Sequence, residues 1–377
     1  MRVTWPGNEQ GASPFLAGDF FVFGRYALVE ALRRAGVRAG DAVLLPAYHC
    51  RTVVESALYL GAEVRLYPMT ASLRPDFARL EPLCADGKAK AFVLTHYFGF
   101  PNDLARVRTL CDQTNMALVE DCAHALYGQD DQGHVLGSIG DYAVTSVWKF
   151  FPLRDGALLR DNSPGAGAPS RLRAPSLWSE IKALADVARS LGRSRGPGSP
   201  LPRPVFDALV AQVLELGARP EPALATDEIQ FRRDQVIRQG LRVSRALVRL
   251  APHAEIRERR RALYRHWLRR IEGVPGVRPL FARLPDGVVP YAFPLLTDPR
   301  GWVFHALRLA GVPIWRWEDV ARTSCAVSQN YRLRLLQLPC HQDLTEGQID
   351  WVVHILEGVM SRLPVPEHEF GRASDQE

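Results

Sequence analysis

A chain of 377 residues with 47% hydrophobic and 23% charged residues has the make-up of an ordinary globular protein, with enough core for one large α/β unit and a smaller one. The formal net charge of +6 could suit nucleic acid, but the arginines are scattered and no RNA- or DNA-binding motif is present, so a leaning towards anionic small molecules is the milder inference. No apolar run reaches the roughly 18 residues a membrane helix needs, no basic and apolar leader opens the chain, and the six cysteines include no C-x-x-C pair, which predicts reduced thiols in a cytoplasmic protein without signal peptide or membrane span.

Residues 1–22 read as an irregular N-terminal arm with Gly and Pro punctuation. Gly24-Arg25 opens a helix that continues to Ala35, and a helix start at glycine lets backbone N–H groups approach a phosphate. Residues 42–46 read as a buried strand ended by Pro46, followed by Tyr48, His49 and Cys50 and a helix over 52–60. Strands over 63–67, 91–96 and 116–121 alternate with helices over 77–83 and 102–114. Further strands are predicted over 142–148 and 157–159. Alternation of this kind predicts an α/β fold with a mostly parallel sheet covered on both faces, and binding residues at the strand C-terminal ends. Tyr48, His49, His96, Asp121 and Lys149 lie at or just past such ends.

From residue 161 to about 204 the texture changes, with the Gly/Pro/Ser-rich stretches NSPGAGAPS and RSRGPGSPLPRP flanking a helical pattern over 177–191. Helices over 206–216, 227–250 and 256–271 follow, the last an arginine-rich run read as a solvated face. Strands over 291–296 and 312–315 enclose a helix over 302–309, and Thr345-Glu346-Gly347-Gln348 has capping-box spacing before a final helix to about 363. The chain therefore divides into an arm over 1–22, a large domain over 23–250 with a variable helical insertion at 161–230, and a small α+β domain over 251–377 with a loose tail.

The chemistry gathers between residues 119 and 156. Lysine is scarce: only Lys88, Lys90, Lys149 and Lys182 occur, and Lys149 alone sits among Val147, Trp148, Phe150 and Phe151. A snorkelling strand-end lysine explains that setting in isolation. Together with Asp121, at the end of an apolar run, it suits pyridoxal 5'-phosphate (PLP): the amine can form a Schiff base with the aldehyde and the acid can hold the pyridine nitrogen protonated. No metal site emerges from ligand spacing, and no dinucleotide, Walker or G-x-S-x-G motif is present.

These motifs, in this order, resemble the DegT/DnrJ/EryC1/StrS family of PLP-dependent sugar aminotransferases. Glu120-Asp121-Cys122-Ala123-His124-Ala125 is similar to its EDxAxA segment, Gly137 to Asp141 to its G-x-x-GD turn, and SVWKFFPLRDG to its lysine motif. Leu44 to Tyr48 resembles the strand-to-cofactor turn, and Leu338-Pro339-Cys340-His341 the C-terminal signature. The resemblance implies a fold-type-I PLP-dependent transferase with Lys149 as the Schiff-base lysine and proton shuttle. It places Asp121 on the pyridinium nitrogen, His124 near the phenolic oxygen, and Gly24 and Arg25 at the phosphate with Ser146 adding a hydroxyl. Tyr48 or His49 would stack on the ring. His124 reads equally as a hydrogen-bonded structural histidine. The sequence departs from the family at Arg25, where the family has a hydroxyl residue, at Val144, where it has the phosphate serine, and in lacking an N-x-R-M segment over 227–250.

The function implied is transfer of an amino group from glutamate or glutamine to the keto group of a nucleotide-linked sugar, by a cytoplasmic homodimer. The alternatives are a PLP-fold protein without transaminase activity and a PLP-dependent lyase. The family's dehydrating branch has histidine in place of the lysine, and Lys149 argues against it.

Overall fold

The structure is a computed structural model that describes residues 14–163, 168–191, 203–217, 231–297 and 301–363. The predicted tail beyond residue 363, most of the arm and much of the two Gly/Pro/Ser-rich stretches lie outside the described residues.

In chain order, β1 (Asp19–Phe21), α1 (Gly24–Arg34), β2 (Ala42–Pro46), α2 (Arg51–Tyr59), β3 (Glu63–Tyr67), α3 (Glu81–Cys84), β4 (Ala89–Thr95), α4 (Leu104–Thr114), β5 (Ala117–Asp121), β6 (Tyr142–Thr145) and β7 (Ala157–Asp161) build the main layer. The sheet order is β1-β7-β6-β5-β4-β2-β3. The neighbours from β3 through β6 pair in parallel, and β7 runs antiparallel to both β6 and β1. Parallel strands need crossovers, and helices α1, α2 and α4 supply them on both faces, which is why β2, β4 and β5 are almost continuously buried. Side-chain alternation splits these strands between two cores. Leu44, Phe92 and Leu118 join one cluster, while Val43, Leu45, Val93 and Val119 join the other.

The second part begins with α5 (Leu177–Leu191), α6 (Arg203–Gly217) and α7 (Arg242–Leu250), then α8 (His253–Ile271). It continues with β8 (Val277–Pro279), β9 (Ala292–Thr297), α9 (Trp302–Leu309), α10 (Ala326–Arg334), β10 (Leu335–Pro339) and α11 (Glu346–Met360). Strands β10-β9-β8 form an antiparallel three-stranded sheet. The Thr345 hydroxyl accepts from the Gln348 backbone N–H while the Gln348 side chain accepts from the Thr345 N–H, so the capping box read from the sequence starts α11. No described helix is long and apolar enough to cross a membrane.

Four sequence expectations differ from the structure. Residues 19–21 form strand β1 rather than irregular chain; three residues are too few for periodicity to reveal them, yet Phe20 and Phe21 are both buried. Of the helix expected over 227–250, residues 227–230 lie outside the described residues, and the rest is α-helical only from Arg242, with a 3-10 turn at Arg233–Gln235. Residues 231–241 instead make bridges through Arg238 and Gln239 to Arg173 and Phe21, and Gly240 lies so close that an added Cβ would meet the Phe20 ring at 2.6 Å. Residues 312–315 make a single bridge, Trp315 to Gln337, instead of a strand. The strand expected over 142–148 stops at Thr145 and gives way to a tight turn that carries Lys149.

Candidate active site at the strand ends

Parallel pairing of β4, β5 and β6 brings their C-terminal ends together, and Asp121 is the last residue of β5. Its side chain is almost wholly buried, with the residue 4% exposed. Oδ1 accepts the Ala123 N–H at 2.9 Å, and His49 Nε2–H donates to Oδ2 at 2.8 Å. Burial resists ionisation of this carboxyl. The His49 hydrogen bond and charge, the Ala123 N–H and the positive charge of Lys149 outweigh burial and hold its pKa below the usual carboxylate value.

Lys149 ends the 3-10 turn Val147–Lys149 just after β6, with its backbone N–H bonded to Ser146 O at 3.2 Å. Burial of its ammonium lowers the pKa below the ordinary lysine value, and Arg25 lowers it further, while Asp121 and Cys50 pull the other way. Nζ stands 5.9 Å from the centroid of the Tyr291 ring. Asp121 and Lys149 thus feel each other's charge across one buried centre.

Rings enclose that centre. His124 stacks on Tyr291 at 4.4 Å and on Phe98 at 5.6 Å between centroids. Its Nδ1 is buried without a hydrogen-bond partner, and burial together with Lys149 and His49 drives its pKa well down, so the imidazole is neutral. Trp317, from the segment after α9, reaches in against His49 (5.1 Å, stacked), Tyr48 and His124. Tyr48 is fully buried and packs on Tyr97, and His49 packs on Trp317 and bonds Asp121. Gly24 begins α1 against Ser146: an added Cβ there would lie 2.5 Å from the Ser146 Oγ, so only glycine leaves that space open. The eight candidate residues, Gly24, Arg25, Tyr48, His49, Asp121, His124, Ser146 and Lys149, therefore lie around a common region.

Three residues that hold this region are not singled out by sequence reasoning. Glu120 points to the other face of β5 and accepts from the backbone N–H groups of Gly137 (2.8 Å), Ile139 (2.8 Å) and Gly140 (2.6 Å). His96 Nε2–H donates to it at 2.9 Å, while His96 Nδ1 accepts from Asn102 N–H. The G-x-x-GD turn is thus wrapped around one carboxylate, and a Cβ on Gly140 would meet Glu120 Cγ at 3.0 Å. With Cys122, whose burial keeps it a thiol, His96 and Glu120 place ligand atoms within 4.8 Å of one another, but the histidine and the acid are already engaged with each other. Arg260, inside the run read as a solvated face, is instead 0% exposed. It donates to the carbonyls of Pro290, Tyr291 and Cys340 at 3.0–3.2 Å, and its guanidinium lies 4.8 Å from the Phe150 ring centroid. Gln342 donates to Phe150 O at 2.9 Å, so the residue after Lys149 is tied to the C-terminal part. Trp317 is the third.

The sequence model of the DegT/DnrJ/EryC1/StrS aminotransferase family matches residues 24–156, the stretch that contributes Gly24, Asp121 and Lys149. Over that stretch the chain is similar to the members of this family. It is 32% identical over 128 residues to an L-glutamine:2-deoxy-scyllo-inosose aminotransferase of Streptomyces kanamyceticus, covering 33% of this chain and 29% of that protein. It is 31% identical over 139 residues to a UDP-N-acetyl-3-dehydro-alpha-D-glucosamine 3-aminotransferase of Acidithiobacillus ferrooxidans, covering 35% of each. The chain therefore spans about a third of the length of these curated relatives. Solved structures resemble it over more of its length. A family aminotransferase from Brucella abortus superposes with TM-score 0.62 at 19% identity, covering 90% of this chain and 85% of that one. The aminotransferase TlmJ from Streptoalloteichus hindustanus gives 0.62 at 21%, covering 92% and 86%. The fold is that of the fold-type-I PLP-dependent transferases.

Two departures from the DegT/DnrJ/EryC1/StrS pattern have structural settings. Val144 is buried in an apolar cluster with Val119 and Leu159. Arg25 acts on the Lys149 ammonium electrostatically, a charge that the family's small hydroxyl residue would not bring.

Proposed function

We propose that the chain is a PLP-dependent aminotransferase that moves an amino group from glutamate or glutamine to the keto group of a sugar or cyclitol, nucleotide-linked in the leading case. The observation that carries the reading is one lysine and one carboxylate, Lys149 and Asp121, at adjacent strand ends and near enough that each moves the other's pKa. Relatives that act on UDP- and GDP-linked sugars and on an inosose support the acceptor class.

The residues fit PLP. An unpartnered buried nitrogen, His124 Nδ1, suits a phenolic oxygen, and the space kept open by Gly24 beside Ser146 at the start of α1 suits a phosphate. Asp121 would sit on the ring nitrogen and Lys149 on the aldehyde. When bound, PLP supplies a carbonyl that captures amines and a ring that withdraws electrons. The chain supplies the rest. His49 and the Ala123 N–H keep Asp121 ionised, so it can hold a proton on a neighbouring nitrogen. Burial keeps a larger share of Lys149 as free amine than an exposed lysine has, so Nζ can take up a proton and return it. The rings of Tyr291, Phe98 and Trp317 exclude water from that transfer.

A homodimer in the cytoplasm is part of the reading. The apolar side chains Leu177, Trp178, Ile181 and Leu184 on α5 are exposed and fit a second copy, which sedimentation tests. The decisive experiment for the function is PLP uptake. Purified protein should turn yellow with PLP, borohydride should fix the label, and mass spectrometry should place it on Lys149. Glutamate or glutamine should then discharge the unreduced form to pyridoxamine phosphate. A wild-type protein that stays colourless in excess PLP would sink the proposal.

A further inference from the structure

Arg260 carries its charge in the interior. It is 0% exposed, lies within α8, and burial works against its ionised form. The acceptors it meets are all neutral. Nε donates to Gln342 Oε1 at 3.0 Å, Nη1 to the carbonyls of Pro290, Tyr291 and Cys340, and Nη2 to Phe150 O at 3.5 Å. A guanidinium meets all of these at once in a rigid fork, which an ammonium on a flexible stem cannot do.

What the fork joins is the surroundings of Lys149. On one side stands Phe150, the next residue in the chain. Its carbonyl accepts from Gln342 Nε2 at 2.9 Å as well as from Nη2, and its ring lies 4.8 Å from the guanidinium. The Phe150 N–H donates to Val147 O at 2.9 Å, so the turn that carries Lys149 is held at its exit. On the other side stands Tyr291. Its carbonyl accepts from Nη1 and its N–H donates to Phe98 O at 2.8 Å, which fixes the backbone from both directions. The Tyr291 ring stacks on His124 and stands 5.9 Å from Lys149 Nζ. Phe150 and Tyr291 are thus joined through one guanidinium, with Lys149 bonded to the first and facing the second. The charges that act on Lys149 are those of Asp121, Cys50 and Arg25, so the influence of Arg260 runs through position.

We propose that Arg260, with Gln342, is the positioning residue of the lysine centre: it locks the exit of the Lys149 turn to the backbone of Tyr291 and so keeps the amine beside that ring and away from water. That the amine so held transfers amino groups rests on the function proposed above; the clamp itself does not.

The test measures the amine directly. In the full chain without PLP, trace labelling with acetic anhydride across a pH series, read by mass spectrometry at Lys149, follows the titration of that one group. Urea unfolding of the same samples reads stability. Arg260→Met should lower the urea midpoint and also move the Lys149 titration up by about 1 pH unit, towards an exposed lysine, because water reaches the loosened turn. Arg260→Lys, which keeps the charge and loses the fork, should move it the same way, and Gln342→Ala should do so by a smaller amount. Arg265→Met, at an exposed arginine of the same helix, should move neither reading. An arginine that serves stability alone would lower the midpoint and leave the Lys149 titration in place, and that result overturns the proposal. Should Arg260→Met not fold, Gln342→Ala decides by the same two readings: a shifted titration supports the clamp and an unshifted one overturns it. Adding PLP to the same samples separates the two readings. A chain that stays colourless yet shifts its Lys149 titration in the variants loses the aminotransferase and keeps the clamp, whereas a yellow chain with an unshifted titration does the reverse.

Discussion

Glu120 and Asp121 are neighbours in β5 with nearly identical side chains, yet they do opposite work because a strand sends them to opposite faces. Glu120 faces a closed region where three backbone N–H groups and His96 take up its oxygens. Asp121 faces the centre shared with His49, Lys149 and the rings. Both carboxyls have lowered pKa values against the opposing effect of burial, Glu120 through His96 and then the Gly140 and Gly137 N–H groups, Asp121 through His49, the Ala123 N–H and the charge of Lys149. The difference teaches that acidity alone does not mark a functional carboxylate. Each accepts from one histidine, but three backbone N–H groups take up the rest of Glu120, whereas Asp121 has one such donor and feels the charge of Lys149.

Substitution sharpens the contrast. Glu120→Ala would leave three buried N–H groups without an acceptor and should cost about 3–5 kcal/mol, the range for breaking a buried charged network, read as a large fall in the urea midpoint. Acid should weaken both sites. Each carboxyl is more acidic folded than unfolded, so its stabilisation is full above the unfolded pKa and is lost as pH falls through the folded value. Removing either carboxyl should therefore flatten the acid limb of the stability profile. Asp121→Asn keeps the shape and should change stability by only about 1 kcal/mol, while PLP affinity, titrated by absorbance, should fall roughly 10–100-fold for loss of a charged partner. The smallest effect on stability is expected for Lys149→Met: removing a buried cation should shift it by less than about 1 kcal/mol, in either direction, while abolishing the borohydride-fixed label. Should Asp121→Asn unfold the chain and Glu120→Ala leave it intact, the assignment of roles is reversed.

What the sequence made legible follows from local chemistry. Asp121 and Lys149 stand out because an acid at a strand end and a lone lysine among aromatics are both unusual within a few residues. The parallel sheet was legible because β2, β4 and β5 are buried on both faces and read as apolar runs. Arg260 was not, because EIRERRRALYRHWLRRI has the look of a wet helix face and the carbonyls that bury it, at Pro290, Tyr291 and Cys340, come from elsewhere in the chain. Trp317 escaped notice for the same reason. Residues 231–241 were read as part of a helix, but bridges to Phe21 and Arg173 and the close approach of Gly240 to Phe20 leave them only a 3-10 turn at Arg233–Gln235. Where partners are distant in sequence, periodicity misreads; where they are near, it serves well.

Trp317 and Arg260 also impose an order of events on biosynthesis. The acid and the lysine leave the ribosome long before the indole that stacks on His49 and the guanidinium that anchors Tyr291 and Phe150. A nascent chain halted between those points has Asp121 and Lys149 without these two supports, so the centre takes its final form only after the later-made segment folds back.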